Sequence, residues 1–155
     1  MSVITKSPLS LVLACVLIFC LQGCYFPREY LEFNKLEKEE QHARFKAFPM
    51  NKQIDFYFYS MSTEPPDLGF ADDIASARER AIPVLLERLD KEPDYRQEHL
   101  IYVFKVMHET YFDLRARPDV ISKIAAVVDG MSEATWKQMS QQSLSDIRKA
   151  PPRKN

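Results

Sequence analysis

The chain has 155 residues, enough for one domain, with 46% hydrophobic and 28% charged residues and a formal net charge of −1. Acids and bases are interspersed, so no basic face is offered to release counterions from a phosphate backbone, and a general nucleic-acid binder is excluded. Only three glycines occur and alternating runs of Val, Ile and Thr are lacking, so strand and hairpin signals are few and the expected class is all-α.

The first seven residues, MSVITKS, carry one positive charge, Lys6. Residues 9–21, LSLVLACVLIFCL, are almost wholly apolar. Thirteen residues fall short of the ~20 that a helix needs to span a hydrocarbon core. A short apolar segment behind a positive start reads as a secretory signal peptide. It ends in Leu21-Gln22-Gly23-Cys24: an aliphatic residue, a variable one, a small one, then cysteine.

That motif, at the end of that segment, resembles the lipobox of bacterial lipoproteins. The resemblance covers residues 1–24 and implies cleavage between Gly23 and Cys24. It further implies a covalent lipid on Cys24, diacylglycerol on the sulfur and an acyl chain on the new amino group. Gln22 departs from the usual small or aliphatic choice at the loosest position of the motif. Of the three cysteines, Cys15 and Cys20 lie in the segment to be removed. The mature chain keeps only the lipidated one, so no disulfide framework is expected. One acyl chain binds a membrane marginally, at ~0.8 kcal/mol per buried CH₂, whereas two or three on one residue hold it permanently. Tyr25 stands where an aspartate retains such proteins in the inner membrane of enteric-type bacteria. The resemblance therefore implies an outer-membrane anchor facing the periplasm. No other cofactor is expected.

Four regions follow in chain order: a signal segment 1–23, an anchor and charged spacer helix 24–48, a helical repeat-like domain 49–149, and a tail 150–155. Within the second, residues 27–47 read as one solvated helix, with Pro27 at its first position and Tyr30, Phe33 and Phe45 as its packing residues. Pro49 breaks it. In NKQIDFYFYSMS, Ile54, Tyr57, Phe58 and Met61 keep helical spacing, with Phe56 and Tyr59 on another side. A helix this aromatic all round is covered on two faces. Asp67 is placed to cap a short helix bearing Leu68, Ala71, Ile74 and Ala75.

The clearest stripes come next. Ile82, Leu85, Leu86 and Leu89 share a face, with Pro83 in the first turn. Leu100, Val103, Phe104, Met107 and Tyr111 follow at three- and four-residue steps. Pro118 opens a helix with Ile121, Ile124, Ala125 and Val128 on one face and Gly130 as its C-cap. Ser132 is placed to cap a last helix holding Trp136, Met139, Ser143 and Ile147. The tail APPRKN is basic and proline-rich, a composition that predicts disorder.

Ile82, Leu85, Leu86, Leu89 and Asp90 match Ile121, Ile124, Ala125, Val128 and Asp129 at an offset of 39, and Phe104 and Met107 match Leu144 and Ile147 at 40. Two helices per ~40 residues, with proline early in the first, resemble HEAT repeats over residues 80–149. The fold expected is a set of antiparallel helical hairpins, a short HEAT-like α-solenoid or an irregular helical bundle. Two repeats alone bury little core, so the preceding helices are expected to complete it.

Chemistry-bearing motifs are sparse. His108-Glu109-Thr110-Tyr111-Phe112 lacks the second histidine of a zinc-peptidase helix, and His99, nine residues earlier, is out of phase with His108. His42 sits among charges. Three ordinary histidines are the simpler account, and no metal is expected. Asp72 and Asp73 are adjacent near a helix start, where the dipole favours carboxylates. No glycine-rich phosphate loop or nucleophile elbow occurs. Tyr102 shares the polar side of its helix with Glu98, Lys105 and Glu109, and is the residue expected to touch a partner. The functional expectation is a lipid-anchored envelope protein that binds another protein in the periplasm, by analogy with helical-repeat surfaces. Its rivals are an enzyme with a site assembled from distant residues, and a structural spacer with no discrete partner.

Overall fold

The computed structural model describes residues 26–149. The signal segment, the cleavage site Gly23–Cys24 and the tail 150–155 lie outside the described residues. Those described form eight α-helices and two 3₁₀ turns, with no strand among them. The all-α expectation holds. Two compact units are separated at Lys35 and Leu36.

In the first unit, α1 (Arg28–Phe33) follows Pro27, whose missing N–H costs a helix start nothing. Tyr30 and Phe33 are buried, with ring centroids 6.2 Å apart.

The second unit begins with α2 (Lys38–Ala47). The single helix expected over 27–47 is therefore two, because Glu37 is extended at φ −61°, ψ 148°. In α2, Glu39 and Glu40 stand in the first turn and Arg44 and Lys46 in the last, each sign at the dipole end that favours it. The α2 stretch is not a free spacer. It packs on α4 (Gly69–Ala75), where Phe45 stacks on Phe70 with centroids 4.4 Å apart. Pro49 disfavours helical backbone at Phe48, which is extended at ψ 152°, and the chain turns directly into α3 (Met50–Met61).

The aromatic helix α3 is covered on several sides, as expected. Phe56 meets Phe48 edge-on at 5.0 Å, the Tyr57 hydroxyl donates to the His99 carbonyl at 3.4 Å, and Phe58 lies under the Arg96 and Arg88 guanidiniums at 4.9 and 5.6 Å. Glu92 accepts from both arginines, and Asp55 takes a second Arg88 nitrogen at 2.7 Å. Burial pushes the Tyr57 phenol far above its ordinary value, so it stays a donor.

A 3₁₀ turn (Arg78–Arg80) leads to α5 (Ile82–Leu89), α6 (Asp94–Thr110), a second 3₁₀ turn (Leu114–Ala116), α7 (Pro118–Gly130) and α8 (Ala134–Lys149). Here the repeat-like pairing is visible. The first helices α5 and α7 pack together, the second helices α6 and α8 pack together, and each hairpin packs internally. On its other side α6 carries α4, which α2 and α3 cover. The helices before residue 80 thus complete the core.

The stripes are buried largely as read: Ile82, Leu85, Leu89, Leu100, Val103, Phe104, Met107, Ile124 and Val128 all lie in the interior. Several details differ. Leu86, Tyr111, Ile121 and Ala125 are only half-buried. In α8 the buried positions are Ser140, Ser143, Leu144 and Ile147, while Met139 is 46% exposed and Trp136 half-buried. Gly130 is no left-handed cap, since its φ is not positive, and α7 ends at an extended Met131. Ser132 does not cap α8 through its side chain. Asp94, the first residue of α6, accepts instead from Ser132 N at 2.8 Å, Glu133 N at 2.8 Å and Ser132 Oγ at 3.0 Å. A carboxylate takes the orphan amides better than a hydroxyl, because its charge also favours a helix N-terminus. Lys105 to Asp146 at 2.8 Å and Lys123 to Asp90 at 2.7 Å add ties between the two hairpins.

Candidate functional site

The densest polar cluster of the second unit forms where α2 meets α4. His42 and Lys46 are four residues apart, so one face of α2 presents both. That face meets Asp73, a buried carboxylate with a side chain only 6% exposed. Lys46 Nζ stands 2.8 Å from Asp73 Oδ1, and His42 Nδ1 pairs with Asp73 Oδ2. An ionised carboxylate only accepts, which puts the imidazole proton of this contact on Nδ1. The bond to Asp73 raises the Lys46 ammonium above its ordinary value. Removing either partner would leave a carboxylate short of a hydrogen bond in a poorly hydrated position.

The other imidazole nitrogen, Nε2, looks toward Asp67 Oδ2 at 3.8 Å, which Lys38 also approaches at 3.7 Å. Phe70 flanks the ring at 5.0 Å. Gly69 is required here: a Cβ on it would sit 2.8 Å from His42 Cε1 and 3.0 Å from Asp67 Oδ1. Asp67 begins α4 as expected of a capping residue, accepting from Gly69 N at 2.9 Å, although Leu68 occupies the formal cap position.

The adjacent acids Asp72 and Asp73 serve different partners. Asp72 accepts from the Tyr111 hydroxyl at 2.7 Å. Burial first, and then this bond, push the Tyr111 phenol up to about 12. The two carboxylates do not converge on one reacting centre.

Beside Asp73 opens a groove of about 430 Å³, walled by Phe48, Met50 and Ala77 and edged by Lys46, Gln53, Ser76 and Arg80. Gln53 is 6% exposed, and its Nε2 donates to the Phe48 carbonyl at 2.8 Å and to the Lys46 carbonyl at 3.4 Å. Ser76 Oγ donates to the Asp73 carbonyl at 2.7 Å. Arg80 is exposed and makes no ion pair with any described residue. It closes the 3₁₀ turn that Arg78 enters at φ 54°, a left-handed conformation that costs a non-glycine residue roughly 1 kcal/mol or more. A smaller groove of about 340 Å³ lies between α7 and α8, near Val128, Leu144 and Arg148.

The other histidines are structural. His108 is fully buried, and its Nδ1 accepts from Leu114 N at 3.3 Å. His99 Nδ1 contacts Glu98 Oε2 at 2.9 Å within a cage of Tyr57, Tyr95 and Trp136. Among the described residues no three His, Cys, Asp or Glu side chains are grouped to hold a metal ion, and no helix is long and apolar enough to cross a membrane.

Tyr102 is half-buried, not exposed, and its expected polar neighbour Glu98 is only 5% exposed. Lys105 is engaged by Asp146. That face is thus less open than its residue types imply. The His42–Asp73–Lys46 cluster has almost no signature in the sequence. The pair is separated by 31 positions, and the only local trace is the i, i+4 placement of His42 and Lys46 around Phe45. Comparison with protein-family models, curated proteins and solved structures finds no match to this chain.

Proposed function

We propose that this chain is a lipid-anchored protein of a bacterial envelope, held to the outer membrane through Cys24, whose helical domain binds a protein partner in the periplasm. The observation that carries the anchor is Leu21-Gln22-Gly23-Cys24 closing an apolar segment too short to span a bilayer. The groove beside Asp73 supports a discrete partner over a plain spacer, since it joins apolar walls to an unpaired cation. Tyr102 is a less favoured contact.

Palmitate fed to cells producing the chain tests the anchor. Wild type is expected to be labelled and to begin at Cys24 after processing, and Cys24→Ala to carry no label. A labelled mutant overturns it. Fractionation is expected to find wild type in the outer membrane, and Tyr25→Asp to move it inward in an enteric host. Crosslinking in intact cells tests the partner, with recovery of one protein at stoichiometric yield expected.

An enzymatic reading draws on the His42–Asp73 pair, because a carboxylate on Nδ1 is how an imidazole is oriented for general-base work. Against it, the second nitrogen faces Asp67 and Gly69, and His42 does not line the groove.

A further inference from the structure

We propose that the groove beside Asp73 receives an acidic peptide segment of the partner, with a carboxylate on Arg80 and an apolar side chain against Phe48 and Met50. The inference rests on the protein-binding reading above and names the chemistry of what is bound.

Charge comes first. Within the groove the Lys46 charge is offset by Asp73 at 2.8 Å, and Asp73 is further engaged by His42. Among the described residues Arg80 has no such counterion, so its guanidinium is the uncompensated charge of the lining. Neighbouring Glu79 is exposed and acts on Arg117. A planar guanidinium is matched best by a carboxylate, which it holds with two parallel bonds.

An acceptor on a lining side chain points to a backbone. Gln53 lines the groove and its two hydrogen bonds are made by its nitrogen, which leaves Oε1 as an acceptor. A peptide N–H supplies that donor next to a carboxylate and an apolar side chain, whereas an ionised phosphodiester has no donor of its own. The volume, about 430 Å³, seats two or three residues. The chain's own tail is the wrong occupant, because residues 150–155 carry Arg153 and Lys154, of the same sign as Arg80.

The test uses the full-length chain in mild detergent and fluorescein-labelled pentapeptides rich in Asp and Glu, each with one Phe or Leu. Saturable binding is expected, with the Asn/Gln counterparts at least about ten-fold weaker and a loss of affinity as salt rises. Arg80→Gln, on an exposed side chain without partners, leaves circular dichroism unchanged and weakens binding about ten-fold. Met50→Ser weakens it at constant salt dependence. Equal binding of acidic and neutral peptides, or an unchanged affinity in Arg80→Gln, overturns the inference. So does binding of soluble short-chain phosphatidylglycerol in place of every peptide. In-cell crosslinking separates the two levels. A partner captured equally by wild type and Arg80→Gln defeats the groove and leaves protein binding standing, whereas no partner from wild type defeats the broader reading.

Discussion

Gly69 and His42 share one space: the face of α4 where glycine omits a side chain is the face the imidazole fills, with Cε1 2.8 Å from where a Cβ would stand. The ring is held on Asp73 and cannot retreat without breaking that pair. Gly69→Ala is therefore expected to destabilise by about 1–3 kcal/mol, the range for overpacking. Gly130→Ala is the control. A Cβ there meets nothing within 4 Å and the backbone is helical, so the change is expected to stabilise by up to about 1 kcal/mol. Urea midpoints of the two variants check both signs.

Core truncations distinguish the buried stripe from its margin. Leu85 and Phe104 are fully buried, and Leu85→Ala is expected to cost about 2–5 kcal/mol and Phe104→Ala about 3–5 kcal/mol. Leu86→Ala, at a half-buried position one residue on, is expected to cost less than Leu85→Ala. Equal costs at 85 and 86 in denaturant titrations would contradict the burial pattern.

The cap that Asp94 places on α8 predicts a pH effect. The backbone bond from Glu133 is the largest cause holding the Asp94 carboxyl below its ordinary range. A depressed folded value means stability present above the unfolded value of about 3.9 and lost as pH falls through the lower folded one. Asp94→Ala is expected to melt earlier than wild type at neutral pH, with the gap between them closing as pH drops below about 4. Thermal scans at both ends of that window read the difference.

Tyr111 predicts the mirror case. Its phenol is pushed up to about 12 by burial and by Asp72. A raised folded value means stability present below the unfolded value of about 10 and lost as pH rises through the folded one. Tyr111→Phe is expected to cost about 0.5–1.5 kcal/mol near neutrality. Ultraviolet titration of the variant is expected to lack the tyrosine that ionises near 12.

These contrasts mark how far the sequence could be read. The helices of α5, α6 and α7 were legible because one buried face leaves a three- and four-residue rhythm, as in Leu100, Val103, Phe104 and Met107. The break between α1 and α2 was not, because Asn34 to Glu37 contain no proline or glycine and α2 is polar enough to look unpacked until Phe45 meets Phe70. Met139 is exposed although its spacing puts it with Ser143 and Ile147, because the buried face of α8 runs through the small Ser140, which hydrophobicity alone does not mark. The cap from Asp94 and the pair between His42 and Asp73 join positions more than thirty residues apart. Such contacts follow from helix packing and leave no local pattern. The proposed anchor, by contrast, rests entirely on local order at Leu21 to Cys24.

Gln53 gives the groove a property beyond its lining. Helix α2 ends with carbonyls that its own geometry leaves without donors, and the Gln53 amide reaches back from α3 to take those of Lys46 and Phe48 at 3.4 and 2.8 Å. The wall that carries Phe48 is thereby locked when the domain folds. An incoming segment meets a surface already in its bound shape, so only the segment itself has to be ordered on binding. Gln53→Ala would remove the Oε1 acceptor and loosen that wall while Lys46, Phe48 and Arg80 keep their side chains, so the entropy of ordering the wall moves from folding to binding.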